Sequence, residues 1–396
     1  MVDIREFIFG PWRAISVLAV TQILAWGTIY YPIVLTAPIM AADRGWSKTF
    51  TMAGFSTGLL IAGLASRQVG ILIDRHGGHR VMPAGSLMGG IGLVGLTLAG
   101  TPVLYFITWA VLGVAMAVSL YDPAFATIGR IFGGAARRPI TMLTVVGGLA
   151  STMSWPSTHA LIDSVGWQNT YFLYAALLVF VAAPLHCWAL PRRHAEVEPR
   201  SPSQPRDASV LPPDGPPFAL VSAGFAAFAF VLSGLSAHLL ALFQGLGLTA
   251  DSAVIIGAVI GPSQVVARIG EFLIGREVHP LRVVRGVLAL LILAFAMLGA
   301  FGVSIATAAV FAVAYGLTNG LMTIARGTLP LALFGPTNYG RLIGRIARPL
   351  LIMQATAPFL LAFVAERQSD MITLALVAAV TIVSLACFSS FQRPNA

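Results

Sequence analysis

Residues 70–80, "GILIDRHGGHR", hold Asp74, Arg75, His76, His79 and Arg80, five groups able to bind a metal, move a proton or form ion pairs. Charged residues make up only 10% of the chain, so this density needs a reason. A metal site would require His76 and His79 to converge on Asp74. A short Gly77-Gly78 turn does not favour that convergence, so no metal ligands are assigned. A second polar group, Gln264, Arg268 and Glu271, follows helical spacing in an apolar run. A third, Tyr315, Asn319, Met322 and Arg326, has the same one-face spacing, as does Gln22 with Trp26 and Tyr30. Trp155-Pro156 makes a kink, and His159 and His238 are two further groups able to carry a coupling proton. No phosphate-cradling Gly-rich loop with a Lys occurs, and the short loops between apolar runs leave no room for a catalytic domain, so no catalytic residues and no cofactor are expected.

The elements that must position these groups follow from composition. The 396 residues are 57% hydrophobic, with a mean hydropathy of +0.85. Soluble domains carry about 25% charged residues, so the solvent covering this chain must be lipid. The net charge of +9 comes almost wholly from arginines scattered between apolar runs, which argues for membrane topology and against nucleic acid. Cys187 and Cys387 lie far apart in apolar runs and read as small buried hydrophobes.

Runs free of Asp, Glu, Lys and Arg fall at 14–42, 49–66, 81–121, 139–162, 164–191, 215–250, 252–267, 286–325, 349–365 and 371–392. A crossing needs about 20 residues. The runs 81–121 and 286–325 are near twice that length and break at Thr101-Pro102 and around Gly299–Gly302. Each then reads as a hairpin, and the total is twelve. Residues 191–217, rich in Pro, Ser and charge, read as a flexible cytoplasmic linker after the sixth crossing. The expected organisation is a cytoplasmic segment 1–12, a six-helix bundle 13–190, the linker 191–217, a second six-helix bundle 218–391 and a cytoplasmic tail 392–396. With the N-terminus inside, the inner face gathers most of the arginines and the outer face only Arg44, Lys48 and Arg367. Both termini are therefore expected in the cytoplasm. A shift of 201 residues lays "LASRQVGILIDR" (64–75) over "VVARIGEFLIGR" (265–276), with Arg67 on Arg268 and Arg75 on Arg276. Such duplication marks transporter folds.

Gly70, Asp74, Arg75, Gly77 and Arg80 resemble the loop signature of the major facilitator superfamily, Gly-x-x-x-Asp-Arg-x-Gly-x-Arg-Arg. The resemblance implies an all-α membrane protein of twelve transmembrane helices in two pseudo-symmetric six-helix bundles rocking about a central cavity. It implies that the loop residues latch the outward-facing state, Asp74 capping a helix N-terminus and Arg75 and Arg80 pairing with carboxylates. Asp122 would partner Arg80, near Arg130 on the same face, and Arg326 would join the gate.

Two readings of Arg268 stand. It pairs with Glu271 or serves the gate as Arg67 does, or it binds substrate, the default for a charge at membrane depth. Residues 45–82 and 261–275 further resemble the monocarboxylate and oxalate:formate branch, in which an arginine at this position binds a substrate carboxylate. That implies a secondary or facilitative carrier of a small organic anion held by Arg268, with Gln264, Tyr315 and Asn319 beside it and Gln22, Trp26, Tyr30 and Trp155 lining the path. The branch's acidic residue one turn before the arginine is Gln264 here, so proton symport would fall to His238, His159 or the substrate. The rival reading is an exporter of amphipathic toxic compounds or drugs, with the aromatic residues as its cavity. The expected setting is a monomer in a bacterial-type inner membrane, its partners the bilayer, the solute and a coupling proton.

Overall fold

The computed structural model describes residues 12–191, 214–275 and 278–390. The expected N-terminal segment up to residue 11, the linker from 192 to 213, Arg276 and the tail 392–396 lie outside them. Among the described residues every regular element is helical. In chain order, α1 (Trp12–Ala25) passes through a π-helical turn, Trp26–Tyr30, into α2 (Ile33–Arg44). Then come α3 (Lys48–His76), α4 (Gly78–Leu98), α5 (Pro102–Ser119), α6 (Tyr121–Phe132), α7 (Arg137–Gly147) and α8 (Ala150–Leu177). A second π-helical turn, Leu178–Ala182, leads to α9 (Ala183–Ala189). The later helices are α10 (Pro216–Gly245), α11 (Ala250–Ile274), α12 (Pro280–Phe301), α13 (Ile305–Phe334), α14 (Tyr339–Ala365) and α15 (Asp370–Ser389).

Among the described residues, ten stretches are long and apolar enough to cross a bilayer. One of them, Pro102–Ala189, runs for 88 residues, far beyond the roughly 20 that one crossing needs. It breaks at Gly133–Ala136, between α6 and α7, and again at Gly166, whose φ of 81° turns the chain inside α8. That stretch therefore holds three crossings, and with the nine others the described residues make twelve. The hairpin turn expected at Thr101-Pro102 falls between α4 and α5, and the one expected around Gly299–Gly302 is made at Gly302, between α12 and α13, with Gly299 still inside α12.

Local chemistry starts several of the helices. Ser47, Thr101, Thr249 and Ser369 accept the backbone N–H three residues on, and Ser304 forms a capping box with Thr307. These caps stand after the first, third, seventh, ninth and eleventh crossings. Gly166 takes the corresponding place after the fifth.

The contacts divide the chain into two compact units. The first holds α1–α9 together with residues 336–348, and so the opening turns of α14. Apolar packing around Trp109, Tyr105 and Phe125 forms its interior. Some of the polar side chains inside it satisfy one another, which lowers the cost of burying them. His186, 1% exposed, bonds Thr21 through Nε2 at 2.9 Å and Ser86 through Nδ1 at 3.2 Å. At the end of α4, Arg44 donates to the Leu96 and Thr97 carbonyls at 2.6 and 3.2 Å. Its guanidinium lies over the Trp46 and Trp167 rings.

The second unit holds α10–α13, the remainder of α14 and α15. Here α13 packs on α11 and α12, and α10 packs on α15. Pro358 lacks the N–H that would close a helical bond to the Gln354 carbonyl. Ser233 of α10 donates to that carbonyl instead, at 2.7 Å.

Candidate functional site

On α3, Ser66, Gly70 and Asp74 recur every four residues and so form one stripe. Gly340 and Gly344 make the matching stripe on the opening turns of α14, which belong to the same unit. Ser66 Oγ donates to the Gly344 carbonyl at 2.9 Å. The Asp74 carboxylate accepts the Gly340 N–H at 2.9 Å and the Arg341 N–H at 2.7 Å. It thereby satisfies two donors that a helix N-terminus leaves open, at the positive end of its dipole. Close approach demands the glycines: a Cβ on Gly70 would collide with the Gly340 carbonyl. One on Gly340 would stand 2.6 Å from Asp74 Oδ1 and 2.7 Å from the Gly70 carbonyl. This is a small-x-x-x-small crossing with a carboxylate at its end. The glycine pair in "GRLIGR" (340–345) was its sequence signal, which the reading of the loop alone missed.

Around this crossing, Gly77 (φ 79°) ends α3, and Arg130 donates to the Ile73 carbonyl at 2.9 Å, capping the helix within electrostatic range of Asp74. Arg75 and Arg80 are exposed, and their side chains make no hydrogen bond or ion pair with the described residues. The expected Arg80–Asp122 pair does not form. Asp122 sits half-buried in the first turn of α6, within electrostatic range of the buried Tyr339, whereas Arg80 lies on the solvent side of the first turn of α4. His76 is exposed, and among the described residues no three His, Cys, Asp or Glu groups cluster.

The second unit holds Arg268. It is 6% exposed, its Nε has no partner, and its side chain makes no hydrogen bond or ion pair with any described residue. The pair with Glu271 is absent, because Glu271 folds its carboxylate onto Gly275 at the end of α11. Its aligned counterpart Arg67 is exposed, so the two arginines occupy different environments. α11 runs beside α13 along Gly316 and Gly320. A Cβ at either would stand 2.6 Å from a backbone carbonyl, that of Ile260 or Gln264 respectively. This register sets Gln264 beside Gly320 and brings Asn319 level with it. Gln264 and Asn319 are both half-buried. Tyr315, 2% exposed, is tied to α10, its hydroxyl donating to the Leu232 carbonyl at 3.0 Å and meeting Ser236 Oγ at 3.2 Å. Arg326 is half-buried on α13. His238 donates through Nε2 to the Pro358 carbonyl at 2.9 Å, joining α10 to α14.

The first unit holds the aromatic group. Gln22, fully buried, donates to the Ser119 carbonyl at 2.7 Å, where α5 gives way to α6. Its Oε1 accepts Trp26 Nε1 at 3.2 Å. The π-helical turn carries Trp26 and Tyr30 with ring centroids 4.7 Å apart, and Trp26 also lies 5.1 Å from Tyr121. Tyr31 extends the cluster to Trp155, which is 47% exposed. His159 is exposed and pairs with Asp163 at 2.8 Å.

The sequence profile of the Major Facilitator Superfamily matches residues 17–347, and the chain belongs to that family. It is a multi-pass integral membrane protein that transports small solutes, and not an enzyme. Over 113 residues it is 29% identical to Monocarboxylate transporter 1 of Rattus norvegicus, a match spanning 28% of this chain and 22% of that one. Among solved structures it is similar to the human organic anion transporter MFSD10 (TETRAN), at 13% identity and a TM-score of 0.72, over 96% of this chain and 99% of that chain. It is also similar to the proton:xylose symporter XylE bound to 6-bromo-6-deoxy-D-glucose, at 10% identity and 0.68, over 96% and 95% of the two chains. FucP in the outward conformation shares 11% identity at 0.71, over 96% and 98%. At such identities these structures attest the fold alone.

Proposed function

We propose that the protein carries a small organic anion, a carboxylate, by alternating access, and that Arg268 is its ligand. The observation behind this reading is the burial of that guanidinium without a partner. A charge at membrane depth costs about 3 kcal/mol or more on insertion scales, and a buried guanidinium leaves strong charge-assisted donors for a carboxylate. Gln264 and Asn319 supply neutral donors on the same level. Tyr315, committed to the Leu232 carbonyl, serves as a wall. The partial likeness to a monocarboxylate transporter supports the same substrate class. The α3–α14 crossing is the gate, with Gly70, Asp74, Gly77 and Arg130 as its working parts. The arginine distribution supports cytoplasmic termini.

The test is thermal stability of the purified protein against carboxylates, inorganic anions and cationic dyes, beside Arg268→Gln. A ligand at 100 times its Kd stabilises by about 2.7 kcal/mol. A carboxylate that raises the Tm of the wild type and not of the variant is the expected result. Stabilisation by cations or neutral aromatics alone, equal in both proteins, would favour the second reading: export of amphipathic compounds through the Trp26–Tyr30–Tyr31–Trp155 cluster.

A further inference from the structure

Four residues that build the α3–α14 crossing are each followed by an arginine: Ser66 by Arg67, Asp74 by Arg75, Gly340 by Arg341 and Gly344 by Arg345. The two helices run antiparallel, since Ser66 meets Gly344 while Asp74 meets Gly340 and Arg341. One step along a helix turns a side chain by about 100°. On antiparallel partners that face each other, the same turn from each crossing stripe leads to the same flank. The four arginines therefore gather along one side of the crossing, where the backbones touch. A Cβ on Gly344 would stand 3.0 Å from Arg67 Cα, and one on Gly70 would stand 3.1 Å from the Arg341 nitrogen. Arg348, three residues past Arg345, adds a guanidinium beside them.

Little in this unit offsets these charges. Its described acidic residues are Asp43, Asp74, Asp122 and Asp163. Asp43 and Asp163, bonded to Trp167 and His159, stand at the opposite end of the crossings. Asp74 spends both oxygens on the Gly340 and Arg341 N–H groups, and Asp122 lies on α6 within electrostatic range of Tyr339. Arg345 is half-buried and engaged. Arg67, Arg75, Arg341 and Arg348 are exposed, and their side chains make no hydrogen bond or ion pair with the described residues.

The same flank is apolar between its charges. Leu64 and Leu72, both exposed, each precede an arginine of α3 by three residues, the spacing of neighbours on a helix surface. An aqueous anion gains nothing from these leucines, whereas a lipid lays its acyl chains on them. Depth agrees. With 29 residues, α3 is about 43 Å long, about 13 Å more than the hydrocarbon core. Arg67 stands nine residues before its end, and Arg348 nine after the start of α14, about 13 Å in each case. Long arginine stems carry their guanidinium groups on to the headgroup level. We infer that this flank binds an anionic phospholipid, its phosphodiester held by Arg67, Arg75 and Arg341 with Arg348 beside them. Guanidinium groups suit that ligand because they donate to phosphate oxygens in pairs.

Lipid binding to the purified full chain in detergent is read by native mass spectrometry. The probes are dioleoylphosphatidylglycerol and dioleoylphosphatidylcholine, which share acyl chains and differ in headgroup charge. Phosphatidylglycerol is expected to bind the wild type more tightly. Arg67→Gln/Arg341→Gln should weaken its binding by about 25-fold, equivalent to ~2 kcal/mol at tenfold per 1.4 kcal/mol, and leave phosphatidylcholine unaffected. Arg282→Gln is the control, an exposed arginine in the first turn of α12 whose side chain has no described partner. It should change nothing. Should the double variant fail to fold, Arg75→Gln/Arg348→Gln reads the same flank. Glycerol 3-phosphate carries the phosphate without the chains and should not displace the lipid. Displacement by it would assign the arginines to a free phosphate ester and overturn the inference. So would equal binding of the two lipids, or an equal loss in Arg282→Gln, which would mark diffuse attraction to a basic surface.

Discussion

Replacing Asp74 with Asn tests whether the carboxylate holds the first turn of α14. In the wild type its two oxygens accept the Gly340 and Arg341 N–H groups at 2.9 and 2.7 Å. An asparagine keeps one acceptor and turns a donor toward the other N–H. One charge-assisted bond is then lost outright, worth about 1.5–3 kcal/mol, and the favourable charge at the helix dipole, worth about 0.3–1 kcal/mol, goes with it. Allowing for partial exposure of Asp74, the expected local loss is about 2–3 kcal/mol. At tenfold per 1.4 kcal/mol this is a ~30- to 150-fold change in local opening. Amide hydrogen exchange reads it directly, because the two amides concerned are those of Gly340 and Arg341. Peptides covering 336–348 should exchange faster by that factor in Asp74→Asn. Arg75→Gln, which removes an exposed charge with no described partner, should leave them unchanged. Unaltered protection at Gly340 and Arg341 in Asp74→Asn would refute the capping role.

Other substitutions probe the same logic elsewhere. Ser233→Ala should destabilise by about 1–2 kcal/mol by orphaning the carbonyl that Pro358 leaves without its helical donor. In a Pro358→Ala background, where the N–H returns, the same change should cost little, and a double-mutant cycle of denaturation midpoints measures the difference. Gly320→Ala should push α11 from α13 and lower stability by about 1–3 kcal/mol, since its Cβ would stand 2.6 Å from the Gln264 carbonyl. Solute binding at Arg268, followed by thermal shift, should weaken with it. Gln22→Leu should cost about 1–3 kcal/mol by stripping the Ser119 carbonyl of its donor at the α5–α6 break. A Tm equal to that of the wild type would show that another group serves that carbonyl.

Most of the architecture was legible in the chain itself. Crossings are contiguous, and their number depends on apolar runs of about 20 residues and on Gly, Pro, Ser and Thr at their ends. The break at Thr101-Pro102, the turn at Gly302 and the loop signature around Asp74 are all local features. The π-helical turn at Trp26–Tyr30 was not legible, because its one extra residue per turn leaves an aromatic spacing that an α-helix also permits. Nor was the fate of Gln22 or Tyr315. Each follows helical spacing toward a solute path, yet each is spent on a carbonyl, Ser119 or Leu232, that lies 97 or 83 residues away.

Arg268 marks the division most clearly. The sequence by itself determined that a permanent cation must lie in a crossing with Glu271 three residues on, which leaves an internal pair and a free ligand equally open. Only the tertiary structure excluded the pair, by turning Glu271 onto Gly275 and burying Arg268 with no described partner. The reason is physical. Hydropathy adds up along the chain and survives without knowledge of neighbours, whereas the pairing of a charge depends on which side chains and carbonyls surround it in space.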